Sequence, residues 1–201
     1  MNLAFERRLW EEGFKFVAGV DEVGRGPLAG PVVAAAVIFP PGIVKINGLA
    51  DSKLLTPRER ERLLPEIKKK AIAIGIGKVS HTLIDKINIG QANLLAMKRA
   101  VEKLPIFPDY LLIDGGRYRI SLPLPQQGIN GGDGKCFSIA AASIVAKVFR
   151  DQLMLAYHKK YPQYRFDCHK GYGTKEHLLQ LRRYGSSPIH RQSFFPVSHS
   201  S

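Results

Sequence analysis

Residues 17–31, VAGVDEVGRGPLAGP, constrain this chain more than any other stretch. Val17 to Val20 read as the end of an apolar strand, and two adjacent acids, Asp21 and Glu22, follow at once. Gly24-Arg25-Gly26 and a second glycine–proline cluster ending at Pro31 come next. Acids at the end of a buried strand are costly unless something positive stands there. Glycines flanking an arginine let the backbone approach a ligand closely, because no Cβ intervenes. A metal ion bound to phosphate meets both conditions. A plain strand–turn junction also uses Asp and Gly, for turn geometry alone. The stretch is not a dinucleotide fingerprint, since the third glycine and the following helix are missing. It is not a phosphate-binding P-loop either, because no Gly-Lys-Ser/Thr follows.

A second apolar run, Tyr110–Ile113, also ends on an acid, Asp114. If the two strands are parallel neighbours, their ends lie about 5 Å apart. Three carboxylates in that space repel one another and need a cation. Oxygen-only ligands suit Mg²⁺ or Mn²⁺. A fourth acid, Asp133, sits in Gly131-Gly132-Asp133-Gly134-Lys135, just before a long helical stretch. Two such ions about 4 Å apart cleave phosphodiesters without a nucleophilic side chain. No Gly-x-Ser-x-Gly or His-Glu-x-x-His competes with this constellation. Taken singly, Asp114 also suits a turn start and Asp133 a helix cap. One geometric condition applies: consecutive strand residues point to opposite faces, so Asp21 and Glu22 share a site only if the strand ends or bulges there.

Thirty Lys and Arg against seventeen Asp and Glu leave a formal charge of +13. Such an excess favours a polyanionic partner, with a generally basic solvated surface as the alternative. Cys136 and Cys168 form no Cys-x-x-Cys pair, which argues against zinc. Sparse cysteine fits a reducing compartment, although one pair does not exclude a disulfide. No apolar run reaches membrane-spanning length, and charges interrupt the N-terminal segment where a signal peptide needs an apolar core. A cytoplasmic location is expected.

The remaining pattern predicts helices over 3–12, 57–70, 91–104, 138–159 and 174–184, with a short helix or turn over 82–87. Strands are expected at 17–20, 28–39, 71–79 and 110–113. Thr56, Pro57 and Glu59 make a capping box with proline at the first position. Residues 117–135 read as loop with short strands, and the tail from Gly185 as loop. Strands with intervening helices imply an α/β fold with a mixed sheet, the later helices packing alongside.

With these motifs placed, the chain resembles the bacterial ribonuclease HII family from about Phe16 to Val197. The segments that carry the resemblance are VDEVGRG at 20–26, DSK at 51–53, LIDG at 112–115, SIAAASIVAKVFRD at 138–151, HKGYGTKEH at 169–177 and PIHRQSF at 188–194. Their occurrence in this order is far more specific than any one of them. The resemblance implies a ribonuclease H-like fold over 1–201, with a short helical C-terminal portion from about 160. It implies a monomer that uses Mn²⁺ or Mg²⁺. It further implies cleavage of RNA in RNA–DNA hybrids, and incision 5′ of single ribonucleotides in duplex DNA. Carried over by position, Asp21, Glu22, Asp114 and Asp133 are the metal-site acids. Gly24, Arg25, Gly26 and Tyr172 read the ribose 2′-hydroxyl, and Ser52, Lys53, Ser143 and Lys147 are candidates for phosphate contact. Outside the resemblance, Tyr172 is an ordinary half-buried tyrosine. His169, His177 and His190 fall in family-like segments, but no catalytic role is assigned to them. The family usually has a lysine two residues before the fourth acid, where this chain has Gly131. A non-catalytic nucleic-acid-binding domain and another ribonuclease H-like enzyme, such as a junction resolvase, are the competing readings. The intact acids argue against the first, and Gly-Arg-Gly with Tyr172 against the second.

Overall fold

The structure is a computed structural model that describes residues 2–199. Strands β1 (Val17–Val23), β2 (Val32–Ile38), β3 (Ala73–Val79), β4 (Tyr110–Asp114) and β5 (Gln126–Ile129) form one mixed sheet in the order β3-β2-β1-β4-β5. β1 is antiparallel to β2, and β2 to β3, while β4 and β5 continue the sheet in parallel. The helices are α1 (Ala4–Glu11), α2 (Pro57–Lys70), α3 (His81–Glu102), α4 (Phe137–Lys160), α5 (Phe166–His169) and α6 (Lys175–Tyr184).

β2 explains the layering. Its sequence, VVAAAVI, is buried throughout, because a strand covered on both faces reads as an unbroken apolar run. Ala34, Ala36 and Ile38 pack in one layer with Ala92, Ala96 and Met97 of α3. Val33, Ala35 and Val37 pack in the other with Ala140 and Ile144 of α4 and with Leu63 and Ile67 of α2. Each fully buried aliphatic side chain of the larger kind contributes about 2 kcal/mol. Small residues on the sheet let α4 come very close. A Cβ at Gly19 would stand 2.2 Å from the Ser138 carbonyl carbon, so an alanine there would force helix and sheet apart.

The helix ends follow from capping chemistry. The Thr56 capping box closes as its sequence predicts. α3 joins the two expected helical stretches across a break at Asn88 (φ 66°), whose side chain accepts the Gln91 N–H at 3.0 Å and so caps the second. α4 has no cap of its own at Cys136. Glu6 of α1 supplies one from a distance, accepting the Ser138 N–H at 2.7 Å and the Ser138 hydroxyl at 2.8 Å. A carboxylate there also complements the positive end of the helix.

Candidate active site

The parallel register pairs Val20 with Ile113, so Asp21 and Asp114 follow at equivalent positions on adjacent strands. Asp133 joins them from the short turn before α4, and carboxylate oxygens of Asp21, Asp114 and Asp133 all lie within 4.8 Å of one another. Asp133 is therefore not a helix cap. Asp114 accepts the Gly132 N–H at 2.6 Å, which ties the strand end to the Asp133 turn.

The expectation that β1 stops or bulges at its acids needs correcting. β1 stays regular through Val23, with Asp21 opposite Ala35 and Glu22 opposite Ala34. Asp21 faces the α4 layer, and Glu22 faces the α3 layer beside Asn93. What stops is the pairing with β4, beyond Val20 and Ile113. That opening at the strand ends lets the charge of Glu22 still act on Asp21 and Asp114.

The electrostatics are those of a site awaiting a cation. Burial, then the charges of Glu22 and Asp114, push the Asp21 carboxyl well above the usual carboxylate range. Burial also raises Glu22, against the neighbouring Arg25. Burial, then Asp133, raises Asp114. Glu22 Oε2 is buried with no hydrogen-bond partner, and so are both amide atoms of the fully buried Asn93. The three clustered carboxylates of Asp21, Asp114 and Asp133, oxygen donors only, are the set that a hard divalent ion takes, while Glu22 lies outside that cluster on the Asn93 side. These residues fit Mg²⁺ or Mn²⁺.

The supporting residues fall in two groups. Ser52 and Ser143 are both buried and bond to each other at 2.6 Å, and Ser143 also favours the charged form of Asp21. Lys53 is solvent-facing and reaches Asp133 at 2.8 Å, its pKa raised chiefly by that bond. Lys147 sits one helical turn beyond Ser143 and pairs with Asp151 at 2.8 Å.

Arg25 and Gly26 are exposed and Gly24 is buried. Arg25 lies 3.6 Å from Glu22 and joins this turn to the acids. Gly24 has φ 91°, and a Cβ there would meet Arg150 Nε at 2.2 Å. Its missing side chain therefore makes room for an internal arginine, whereas a Cβ at Gly26 would meet nothing nearer than Tyr172 Cε1 at 4.0 Å. Tyr172 is 40% exposed, and its ring stands beside Gly26.

Behind Tyr172 lies a set of buried histidines. His177 Nδ1 is 2.8 Å from the Tyr172 carbonyl, which only accepts, so Nδ1 carries the proton. His177 Nε2 then accepts from His190 Nε2 at 3.0 Å, and His190 Nδ1 accepts the Ser187 N–H at 2.8 Å. One tautomer of each ring satisfies every partner, and both rings must be neutral. Burial lowers both to about 4.

Sequence reasoning missed Arg150, Arg191, Asn93 and Tyr118. Arg150 and Arg191 are fully buried and bond to backbone carbonyls between Gly24 and Pro31. Tyr118 packs under the Arg25 guanidinium, 5.5 Å from ring centre to charge. No sequence signal marks Asn93 or Tyr118. Arg191 lies inside a recognised segment, and its neighbours offered no reason to bury it. Cys136 and Cys168 are both free thiols, and no helix among the described residues is long and apolar enough to cross a membrane.

Carboxylates clustered at the ends of two central strands of a mixed sheet, with a basic turn beside them, define a metal-dependent nuclease of ribonuclease H-like architecture. Residues 18–197 match the family model for Ribonuclease HII, and the chain belongs to that family. A ribonuclease HII of Syntrophobacter fumaroxidans is 56% identical over 192 residues, covering 96% of this chain and 82% of the relative. That of Chlorobium chlorochromatii is 50% identical over 198 residues, covering 96% of each. The crystal structure of ribonuclease H2 from Pyrococcus horikoshii superposes with a TM-score of 0.77 at 25% identity, over 92% of this chain and 96% of that one. The protein is accordingly an endoribonuclease of the ribonuclease H class, a metal-dependent hydrolase.

Proposed function

We propose that this enzyme hydrolyses RNA in RNA–DNA hybrids and also incises 5′ of a single ribonucleotide embedded in duplex DNA, leaving 3′-hydroxyl and 5′-phosphate ends. The observation that carries the second activity is the contact between two clusters, with Arg25 of the glycine turn 3.6 Å from Glu22 of the acid site. A sugar read at the turn places its flanking phosphate at the acids. Asp21, Glu22, Asp114 and Asp133 are the residues that would hold Mn²⁺ or Mg²⁺, which supplies an activated water and neutralises charge on the phosphate. Ser143, held by Ser52, favours the charged form of Asp21 against the burial and neighbouring charges that oppose it. Lys53 and Lys147 add positive charge for the flanking backbone phosphates. Gly24, Arg25, Gly26 and Tyr172 address the sugar, where the 2′-hydroxyl alone separates RNA from DNA. The formal charge of +13 supports a polyanionic duplex as partner. We infer a monomer acting in the cytoplasm as one catalytic domain, its portion from about residue 160 carrying Tyr172.

The test is a labelled duplex with one ribonucleotide, incubated with Mg²⁺ or Mn²⁺ beside an all-DNA duplex and a uniform hybrid. The expected cut leaves the ribonucleotide at the 5′ end of the downstream fragment. Cleavage of the hybrid with none of the single-ribonucleotide duplex would remove the sugar-reading assignment and leave the hydrolase.

A further inference from the structure

Arg191, in the segment between α6 and the C-terminal turn, is fully buried. Among the described residues no carboxylate forms an ion pair with its guanidinium, and Asp85 acts on it only through its charge. Nη2 bonds the Gly24 carbonyl at 2.6 Å, Nη1 the Arg25 carbonyl at 2.8 Å and Nε the Gly30 carbonyl at 3.0 Å. A buried cation is costly, and these three acceptors compensate it only because they converge on one fork. The consequence lies on the other side of the peptide planes. In a planar trans peptide the C=O and the following N–H point in opposite directions. Holding the Gly24 and Arg25 carbonyls inward therefore turns the N–H groups of Arg25 and Gly26 outward. Both residues are exposed, and neither N–H has a backbone acceptor among the described residues. A positive charge at the carbonyl end also polarises each peptide and strengthens its outward donor.

The same segment secures the other half of the turn's surroundings. Arg191 N–H bonds the Leu28 carbonyl at 2.8 Å, Leu28 N–H bonds the Gly171 carbonyl at 2.8 Å, and His190 acts through His177 on the Tyr172 carbonyl.

We propose that Arg191 is a positioning residue for substrate recognition: it aims the Arg25 and Gly26 N–H groups, as a preformed donor pair, at an oxygen of the ribonucleotide. The inference rests on the sugar-reading assignment above and names the device behind it. Arg191 touches no substrate. It fixes a backbone that would otherwise rotate its donors away, since Gly24 at φ 91° and Gly26 have little steric restraint of their own.

The decisive measurement is amide NMR of metal-free wild-type protein with two duplexes, one all DNA and one carrying a single ribonucleotide. The Arg25 and Gly26 amide protons should move downfield with the ribonucleotide duplex and clearly less with DNA alone. Equal or absent shifts would overturn the inference without any variant. Arg191→Lys keeps the charge but cannot bridge three carbonyls. It should lower kcat on the single-ribonucleotide duplex about tenfold or more with KM within about threefold, while Mn²⁺ affinity is unchanged. An Arg191→Lys enzyme with wild-type kcat would also overturn it. Tyr172→Ala, run in parallel, separates the failures: a wild-type Tyr172→Ala enzyme sinks the sugar-reading assignment, whereas an impaired one beside an unimpaired Arg191→Lys sinks only the role of Arg191.

Discussion

The acid cluster and the glycine–arginine turn touch each other, yet they are built on opposite principles. Asp21, Asp114 and Asp133 are placed by sheet register and one short turn, and their charges are left in conflict. The turn is placed by side chains whose hydrogen-bonding capacity is spent on backbone carbonyls, with Arg150 and Arg191 behind it. A site meant for cations keeps its charges unsatisfied until the ligand arrives. The turn, proposed above to read a hydroxyl, has its interior satisfied, which leaves its outward donors on a fixed backbone. The first is expected to tolerate loss of charge without unfolding, and the second to depend on its scaffold.

The largest expected effect breaks the comparison on the acid side. Asp114→Asn should lower kcat by on the order of a thousandfold. In metal-free protein the same change should raise Tm by roughly 2 °C, because it removes one of the mutually repelling charges. Activity within a few-fold of wild type would take Asp114 out of the site, and a falling Tm would contradict the stored repulsion.

The scaffold side should respond to acid. His177 and His190 have folded pKa values of about 4, below the usual 6.5. The unfolded chain thus binds protons that the folded chain refuses, and stability present above pH 6.5 is lost as pH falls toward 4. The loss is on the order of 3 kcal/mol per ring if the two act independently. Urea midpoints measured from pH 7 to pH 4 should fall, and a His177→Gln, His190→Gln double variant should show a flatter fall. Parallel curves for the two proteins would mean the rings do not exclude protons.

A smaller effect separates reading from binding. Tyr172→Ala and Arg25→Ala should each reduce incision at a single ribonucleotide by about tenfold while duplex affinity changes little. Equal losses in cleavage and affinity would make both residues plain binding contacts. Smallest of all, Lys53→Ala should lower the slope of log K against log salt by about 1, evenly across substrates. An unchanged slope would confine Lys53 to its bond with Asp133.

The division also sets how much the sequence reveals. The acids are legible at Asp21 and Asp114 because a buried strand ending on a carboxylate violates local expectation twice at one place. The Thr56 box is legible because capping is local. β1 running on past its acids was not legible, since the decision lies in pairing with β2, whose partners are about a dozen residues away. Arg150 and Arg191 were hidden for a different reason. Arginine in a basic chain reads as surface, and only the convergence of carbonyls from the loop near Pro31 makes an interior place for it. Asn93 shows no sign of its position in an ordinary helical pattern, and the histidine tautomers follow only once their partners are known.

Glu6 has a consequence for the order of events in folding. α4 begins beside the active site, carries no cap of its own, and borrows one from α1 across 132 residues of chain. During synthesis α1 emerges first and waits with an unmatched carboxylate until most of the protein has left the ribosome. The turn bearing Asp133 is continuous with that helix start, with the Cys136 N–H bonded to the Gly132 carbonyl at 2.7 Å. The contact between the first and fourth helices is thus tied, through one short turn, to the place of Asp133 beside Asp21 and Asp114.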